Sequence, residues 1–238
     1  MKILSIGNSF SQDAQRYLYQ IAKNQGVNLT CVNLYIGGCS LQTHYNNSIN
    51  NQPLYDYEVN GKFEGRKISL NDALLSDNWD LVTLQQASNL SYIYNTYIPY
   101  AEELKRFVLE RVKNAKIFIH QTWAYENGSE KLASTGFLST KEMFSKVLSS
   151  YKEICSLLAV DGVIPSGEAM LYAYERGVKV YRDTFHASLG LGRYMLGLIW
   201  YKALTKNEVT INTVCSLDEE ITLEERKIVI ETVNKLVK

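Results

Sequence analysis

The apolar residues of this chain change period repeatedly along its length, and few folds accommodate that. Residues 2–6 form a short run rich in β-branched side chains that meets a Gly-Asn-Ser turn, as a strand does when it closes on a loop. Ala14, Tyr17, Leu18, Ile21 and Ala22 then fall at i, i+3, i+4, i+7 and i+8, one face of a helix that Ser11 can cap. Residues 29–34 read as a second strand closing at Gly37-Gly38, and 81–84 as a third. A helix over 97–112 follows, with Ala101, Leu104, Val108 and Val112 facing inward, and then a strand over 116–120. Residues 141–158 read as a helix and 162–165 as a fifth short strand. Residues 188–204 are apolar on nearly every side, which predicts a buried helix, and Thr222-Leu223-Glu224-Glu225 is a capping box that opens the last one.

Alternation of this kind over one chain implies an α/β fold: a mostly parallel five-stranded sheet with helices on both faces, a three-layer α/β/α sandwich. The rhythm breaks over residues 45–79, which are rich in Asn and carry Asn60-Gly61 between alternating residues, a β-hairpin signal. This stretch is read as an excursion from the main layers and a candidate wall of the active site. There is no internal repeat, low-complexity tract or linker, and 238 residues fit one large domain, 1–238.

Charge and cysteine content exclude several function classes. Twenty-five basic residues balance 25 acidic ones, so no overall field gathers nucleic acid or anionic lipid. Cys31, Cys39, Cys155 and Cys215 form no CxxC pair, and with only His44, His120 and His186 no usual zinc spacing can be assembled, so no metal or other cofactor is expected. His44 reads as a loop residue. No apolar stretch approaches the roughly 18 residues that span a bilayer, and no membrane partner is expected. The residues before Gly7 are too few for a signal-peptide core, so a cytoplasmic location is expected, with a mature exported form still open.

Ligands of open α/β sheets bind at the carboxyl ends of the strands, which selects Ser9, Gly38, Gln85-Gln86 and His120-Gln121-Trp123. Ser9 stands on the turn after the first strand, where the next helix directs free N–H groups into the same space and can stabilise an oxyanion. The alternative is an ordinary helix-capping serine. Late in the chain, Asp183-Thr184-Phe185-His186 places a carboxylate three residues before a histidine. A serine hydroxyl needs a base to attack an ester. Imidazole suits that role near neutral pH when a carboxylate holds its other nitrogen. The alternative there is a capping Asp beside an incidental surface His.

Gly7-Asn8-Ser9 resembles the Gly-Asp-Ser block that opens the SGNH/GDSL hydrolases, and Asp183-Thr184-Phe185-His186 resembles their closing DxxH block. Gly37-Gly38-Cys39-Ser40 looks like their glycine block. The resemblance runs from residue 7 to residue 186 and implies a flavodoxin-like sandwich with Ser9 as nucleophile, His186 as base and Asp183 as its orienter. It implies an oxyanion hole from the Ser9 and Gly38 N–H groups and a side-chain amide. Position 8 is Asn where the name-giving motif has Asp. In place of the family's Gly-x-Asn-Asp block the strand ends Leu84-Gln85-Gln86-Ala87-Ser88-Asn89. Some carbohydrate esterases of the superfamily use Gln there, so Gln85 is the first choice for the amide, Gln86 the second and Asn89 the third. The Leu-Gln-Gln-Ala-Ser and His-Gln-Thr-Trp stretches also resemble a bacterial branch of the superfamily that implies no particular substrate.

Asn8, His120, Gln121 and Trp123 are candidates for substrate contact, with Tyr125 beside them. Tyr outnumbers Phe by 17 to 7, and aromatic faces with polar edges suit sugars, although such rings also cap cores. Gly190-Leu191-Gly192-Arg193-Tyr194-Met195-Leu196-Gly197 is not a dinucleotide fingerprint, because its third glycine arrives late and inside a helix. The Gly-x-Ser-x-Gly elbow is absent, since position 11 is Ser. The reading is therefore a serine ester hydrolase acting on a small-molecule or oligosaccharide ester, with removal of acetyl or another small acyl group from a carbohydrate favoured. A lipase, thioesterase or acyltransferase with the same triad, and a non-catalytic carbohydrate-binding protein, are the alternatives. The oligomeric state is not predicted.

Overall fold

Alternation within the first strand divides the core. Ile3 packs into one apolar cluster, while Leu4 and Ile6 pack into another on the opposite face of the sheet. The computed structural model describes residues 1–238. Its strands are β1 (Lys2–Gly7), β2 (Thr30–Tyr35), β3 (Tyr55–Val59), β4 (Lys62–Ile68), β5 (Leu81–Leu84), β6 (Lys116–His120) and β7 (Gly162–Ile164). They form one seven-stranded sheet in the order β4-β3-β2-β1-β5-β6-β7. Within it, β2-β1-β5-β6-β7 are parallel and constitute the expected flavodoxin-like unit. All of β5, and β1 beyond Lys2, is buried, as a sheet covered on both faces demands.

The helices are α1 (Ser9–Gln15), α2 (Leu18–Asn24), α3 (Leu41–Asn50), α4 (Leu70–Leu75), α5 (Tyr100–Arg111), α6 (Glu130–Ala133), α7 (Thr140–Leu158), α8 (Ser166–Glu175), α9 (Leu191–Thr205) and α10 (Leu223–Leu236). Side chains of α1, α2, α8, α9 and α10 share the cluster of Ile3, and those of α3 to α7 share the cluster of Leu4 and Ile6. That is the expected three-layer sandwich. No helix is long and apolar enough to cross a membrane.

Three local differences from the sequence reading have physical causes. The first helix is broken after Gln15 into α1 and α2, yet Ala14, Tyr17, Leu18, Ile21 and Ala22 are all buried as its periodicity requires. Its cap is Asn8, and Ser11 is the third residue of the helix, where its side chain completes the capping box. The hairpin is present, with Asn60 and Gly61 at φ of 53° and 77°, but it continues the sheet antiparallel to β2 instead of leaving it. Helix α8 has no counterpart in the sequence reading. It has no side-chain cap to announce it, and its polar signal is confined to Glu168 in the first turn.

Candidate active site

The parallel strand order turns at β1, with β2 on one side and β5 on the other, and such a reversal opens a crevice at the strands' carboxyl ends. Gly7 ends β1 there, Asn8 caps α1, and Ser9 is the first residue of the helix. Only glycine fits at position 7, because a Cβ would lie 2.0 Å from Ser11 Oγ. That oxygen accepts from Asn8 N–H at 3.1 Å and faces Asn33 Oδ1 at 2.7 Å, while Asn33 Nδ2 donates to Glu58 Oε2 at 2.7 Å. The hairpin thus braces the helix that carries Ser9 from beneath.

The Asn8 amide ties three loops together. Its Oδ1 accepts from Phe10 N–H at 3.0 Å and from Gln85 Nε2 at 2.6 Å, and its Nδ2 donates to Cys39 O at 3.1 Å. The turns after β1, β2 and β5 are therefore fixed to one side chain.

Asp183, His186 and Ser9 form a hydrogen-bonded run. His186 Nδ1 donates to Asp183 Oδ2 at 2.8 Å, which leaves Nε2 to accept from Ser9 Oγ at 2.9 Å. Asp183 Oδ1 also accepts from His186 N–H at 2.8 Å, a reversal made possible by Thr184 at a φ of 72°. Partial burial alone would raise the Asp183 carboxyl, but hydrogen bonds from the His186 ring and backbone outweigh it and hold the group below its ordinary range. The carboxylate is thus ionised wherever the imidazole needs support.

The loop carrying His186 hangs from the interior. Trp123 Nε1 donates to Phe185 O at 2.7 Å, with the indole stacked on Phe10 at 3.9 Å, and Glu126 N–H donates to Thr184 O at 2.8 Å. From α1, one turn beyond Ser9, the fully buried Asp13 accepts from Ala187 N–H at 3.0 Å, from Arg182 Nη1 at 3.0 Å and from Arg193 Nε at 2.9 Å. The helix that presents the hydroxyl therefore grips the segment that presents the imidazole.

The run opens into a cleft of about 400 Å³ lined by Asn8, Ser9, Gly38, Asn89 and His186 among others. As the first residue of α1, Ser9 leaves its N–H without an intrahelical partner, and Gly38, at a φ of 62°, has an N–H with no backbone acceptor. Both can face an oxyanion. No residue from 45 to 79 lines the cleft, so the hairpin region is a brace and not the expected wall. A larger cavity of about 750 Å³ lies at the amino ends of the strands, between Trp79, Arg111 and Phe118, and holds no hydroxyl–imidazole pair. No cluster of His, Cys, Asp or Glu is arranged to hold a metal ion.

Several expected contacts lie outside the cleft. Gln85 is buried and spent on Asn8 and His120, and its Oε1 accepts from His120 Nδ1 at 2.6 Å. Gln86 is fully buried: its Nε2 donates to Thr96 O at 3.0 Å and its Oε1 accepts from Leu41 N–H at 3.0 Å. The exposed amide on the cleft wall at this strand end is Asn89. Asn8 lines the cleft, but its amide is committed to the protein itself. His120 has no access to substrate, since Ser166 Oγ donates to its Nε2 at 3.0 Å and Trp200 packs edge-on at 4.9 Å. Gln121 is buried against α8, accepting from Glu168 N–H at 2.9 Å, and Trp123 is fully buried behind Phe185. Tyr125 does reach the wall, with Ser88 Oγ 2.9 Å from its hydroxyl. Tyr35 and Lys131 line the cleft without having been singled out, because no local motif marks them, and Phe185 lines it from one of the unspecified positions of the DxxH block.

Burial drives both His120 and His44 down to about 3. His44 lies on α3, not in a loop, with Nδ1 3.0 Å from Tyr55 Oη and no partner for Nε2. An unfolded histidine protonates near 6.5 and these native ones do not, so acid favours the unfolded chain from that pH down towards 3. Stability should fall steadily as the pH drops into that window, with both residues contributing. Thermal melts should show the decline already between pH 6.5 and 5, above the carboxylate range. A flat melting temperature there would contradict the neutral burial of these rings.

A family model described as "Domain of unknown function (DUF4886)" matches residues 2–228. The crystal structure of a DUF4886 family protein from Bacteroides uniformis ATCC 8492 is 33% identical, with a TM-score of 0.91 over 99% of this chain and 93% of that one. A member of the lipolytic protein G-D-S-L family from Veillonella parvula DSM 2008 is 14% identical, with a TM-score of 0.56 over 87% of this chain and 100% of that one. A family 3 carbohydrate esterase of Clostridium thermocellum is 13% identical, with a TM-score of 0.55 over 87% of this chain and 96% of that one. The fold is therefore that of the SGNH/GDSL hydrolases. No curated protein matches by sequence.

Proposed function

The chain belongs to the DUF4886 family, and we propose that this member is a serine ester hydrolase working through an acyl-enzyme. What carries the reading is the run Asp183–His186–Ser9, opening on a cleft at the carboxyl ends of the strands. Ser9 Oγ attacks the ester carbonyl as its proton passes to His186 Nε2. The carbonyl oxygen takes the negative charge against the Ser9 and Gly38 N–H groups. When the bond to the alcohol breaks, His186 gives that alcohol its proton. Water then repeats the sequence on the acyl group, which leaves as a carboxylic acid and restores the serine.

A small acyl group on a carbohydrate is the favoured substrate. Tyr35 and the rim of Phe185 offer aromatic surface on the cleft wall while Ser88 and Asn89 offer hydrogen bonds, a mixture suited to sugars. The carbohydrate esterase that shares the fold fits this choice.

A fluorophosphonate probe should label Ser9, as found by peptide mass mapping, and Ser9→Ala should remove the label. A binding protein on the same fold would stay unlabelled and cleave no ester, and that result would end the proposal. The acetyl preference fails if long-chain 4-nitrophenyl esters are cleaved faster than the acetate.

Because Asn89 is exposed on the cleft wall while Gln85 and Gln86 are buried, we take Asn89 as the side chain that completes the oxyanion hole. Asn89→Ala should lower kcat by about 10²–10³-fold with little change in melting temperature. Gln85→Ala should chiefly lower the melting temperature, since it strands Asn8 and His120. The reverse pattern would return the role to Gln85.

A further inference from the structure

Lys131, on α6, is the one lysine or arginine on the cleft wall, and no Asp or Glu lines that wall. Its ammonium stands 4.0 Å from the centre of the Phe185 ring and 5.4 Å from that of Tyr125. It forms no ion pair and donates no hydrogen bond to the protein. Two ring faces thus hold a cation in place while its three donors stay free of protein acceptors. An ordinary surface lysine is surrounded by water and tethered by nothing. This one is positioned.

The position also has a direction. The Phe185 ring lies 3.9 Å from the His186 ring, so one aromatic ring separates the ammonium from the imidazole. His186 must protonate the departing alcohol, which puts the alcohol portion of an ester on the imidazole side. The carbonyl oxygen goes to the other side, towards the Ser9 and Gly38 N–H groups.

We propose that Lys131 selects esters whose alcohol portion carries an anion, a carboxylate or a phosphate, as in an O-acylated uronic acid or an O-acylated sugar phosphate. The proposal rests on the esterase reading and narrows its substrate. The anion replaces water on the ammonium with a charge-assisted hydrogen bond in a cleft that offers no competing carboxylate.

The experiment compares esters that share one acetyl group: the O-acetyl methyl glycosides of glucose and glucuronic acid, and O-acetylated glucose phosphate. The parent protein should prefer the anionic esters by about tenfold in kcat/KM, and rising salt should shrink the preference. Lys131→Met should bring the ratio near one, and Lys131→Glu should invert it. The uronate and phosphate arms tell which anion is native. A 4-nitrophenyl hemisuccinate, whose charge lies on the acyl side, should gain nothing over the acetate.

Equal kcat/KM for neutral and charged sugar esters at low salt would overturn the proposal, as would a preference that survives Lys131→Met. If Ser9 takes no fluorophosphonate, the esterase reading fails first. Calorimetry with the Ser9→Ala protein then still decides whether uronate binds more tightly than neutral sugar through Lys131. Failure of that arm would remove the anion site by itself.

Discussion

Ser9→Ala is expected to reduce ester hydrolysis by about 10⁴–10⁶-fold, and His186→Ala to reduce it nearly as much. In the proposed mechanism the hydroxyl and the imidazole act as one unit, with the 2.9 Å contact between them as the path of the proton. Removing both should therefore cost little more than removing either, whereas independent contributions would multiply. Asp183→Asn should cost about 10⁴-fold, since an amide in its place favours the wrong imidazole tautomer. Initial rates on 4-nitrophenyl acetate across the single and double variants measure this directly. All should melt near the parent temperature, because Ser9 and His186 stand at a cleft and not in the core. A double variant that is far slower than either single one would show that the two groups do not share a proton.

Asp13→Ala should produce the largest loss of stability. The carboxylate is fully buried and meets Arg182 and Arg193, whose side chains are themselves only 26% and 14% exposed. Arg193 also reaches Asp218 at 3.4 Å, and Asp218 pairs with Arg16 at 2.6 Å, so one network ties α1 to the start of α9. Deleting its buried member takes from both guanidinium groups their buried partner and leaves only the longer contacts of Arg193 with Asp218 at 3.4 Å and of Arg182 with Asp183 at 3.9 Å, which costs about 3–5 kcal/mol. For a chain of this size that is a fall of about 10 °C in melting temperature. Asp13 also holds Ala187 N–H, next to His186, so kcat should fall at temperatures where the variant is fully folded, with KM nearly unchanged. Activity that merely tracked the folded fraction would reduce Asp13 to a structural group. A variant as stable as the parent would refute the burial argument itself.

The hydrogen-bonded run Asp183–His186–Ser9 was legible in the sequence because each of its two parts is a local pattern. A serine just after the first strand and a carboxylate three residues before a histidine need only a sheet to bring them together. Strands β5 and β6 fall on residues 81–84 and 116–120 as expected, because their runs of Leu, Val, Ile and Phe pack against the core clusters on both faces of the sheet. The glutamines were misplaced for a different reason. After a strand ends, the path of the loop decides which way each amide points. Here the demands of buried partners turn Gln85 and Gln86 inward and leave Asn89 outside. His120, Gln121 and Trp123 were chosen by the same strand-end rule, but all three are buried: Trp123 holds the His186 loop through Phe185 O, His120 braces Gln85, and Gln121 braces the start of α8. Lys131 lies beyond the reach of any such rule. Its place depends on how the long segment between β6 and α7 folds back over Phe185.

The hairpin that braces α1 also settles what the sheet offers to its surroundings. Its outer strand, β4, is exposed from Lys62 to Lys67 and presents Lys62, Glu64, Arg66 and Lys67, with a bulge where β3 shifts register beneath it. The opposite rim is β7, only three residues long. Charge, twist and brevity all discourage a neighbouring molecule from extending the ladder, so copies of the chain crowded together have no template on which to zip into fibres.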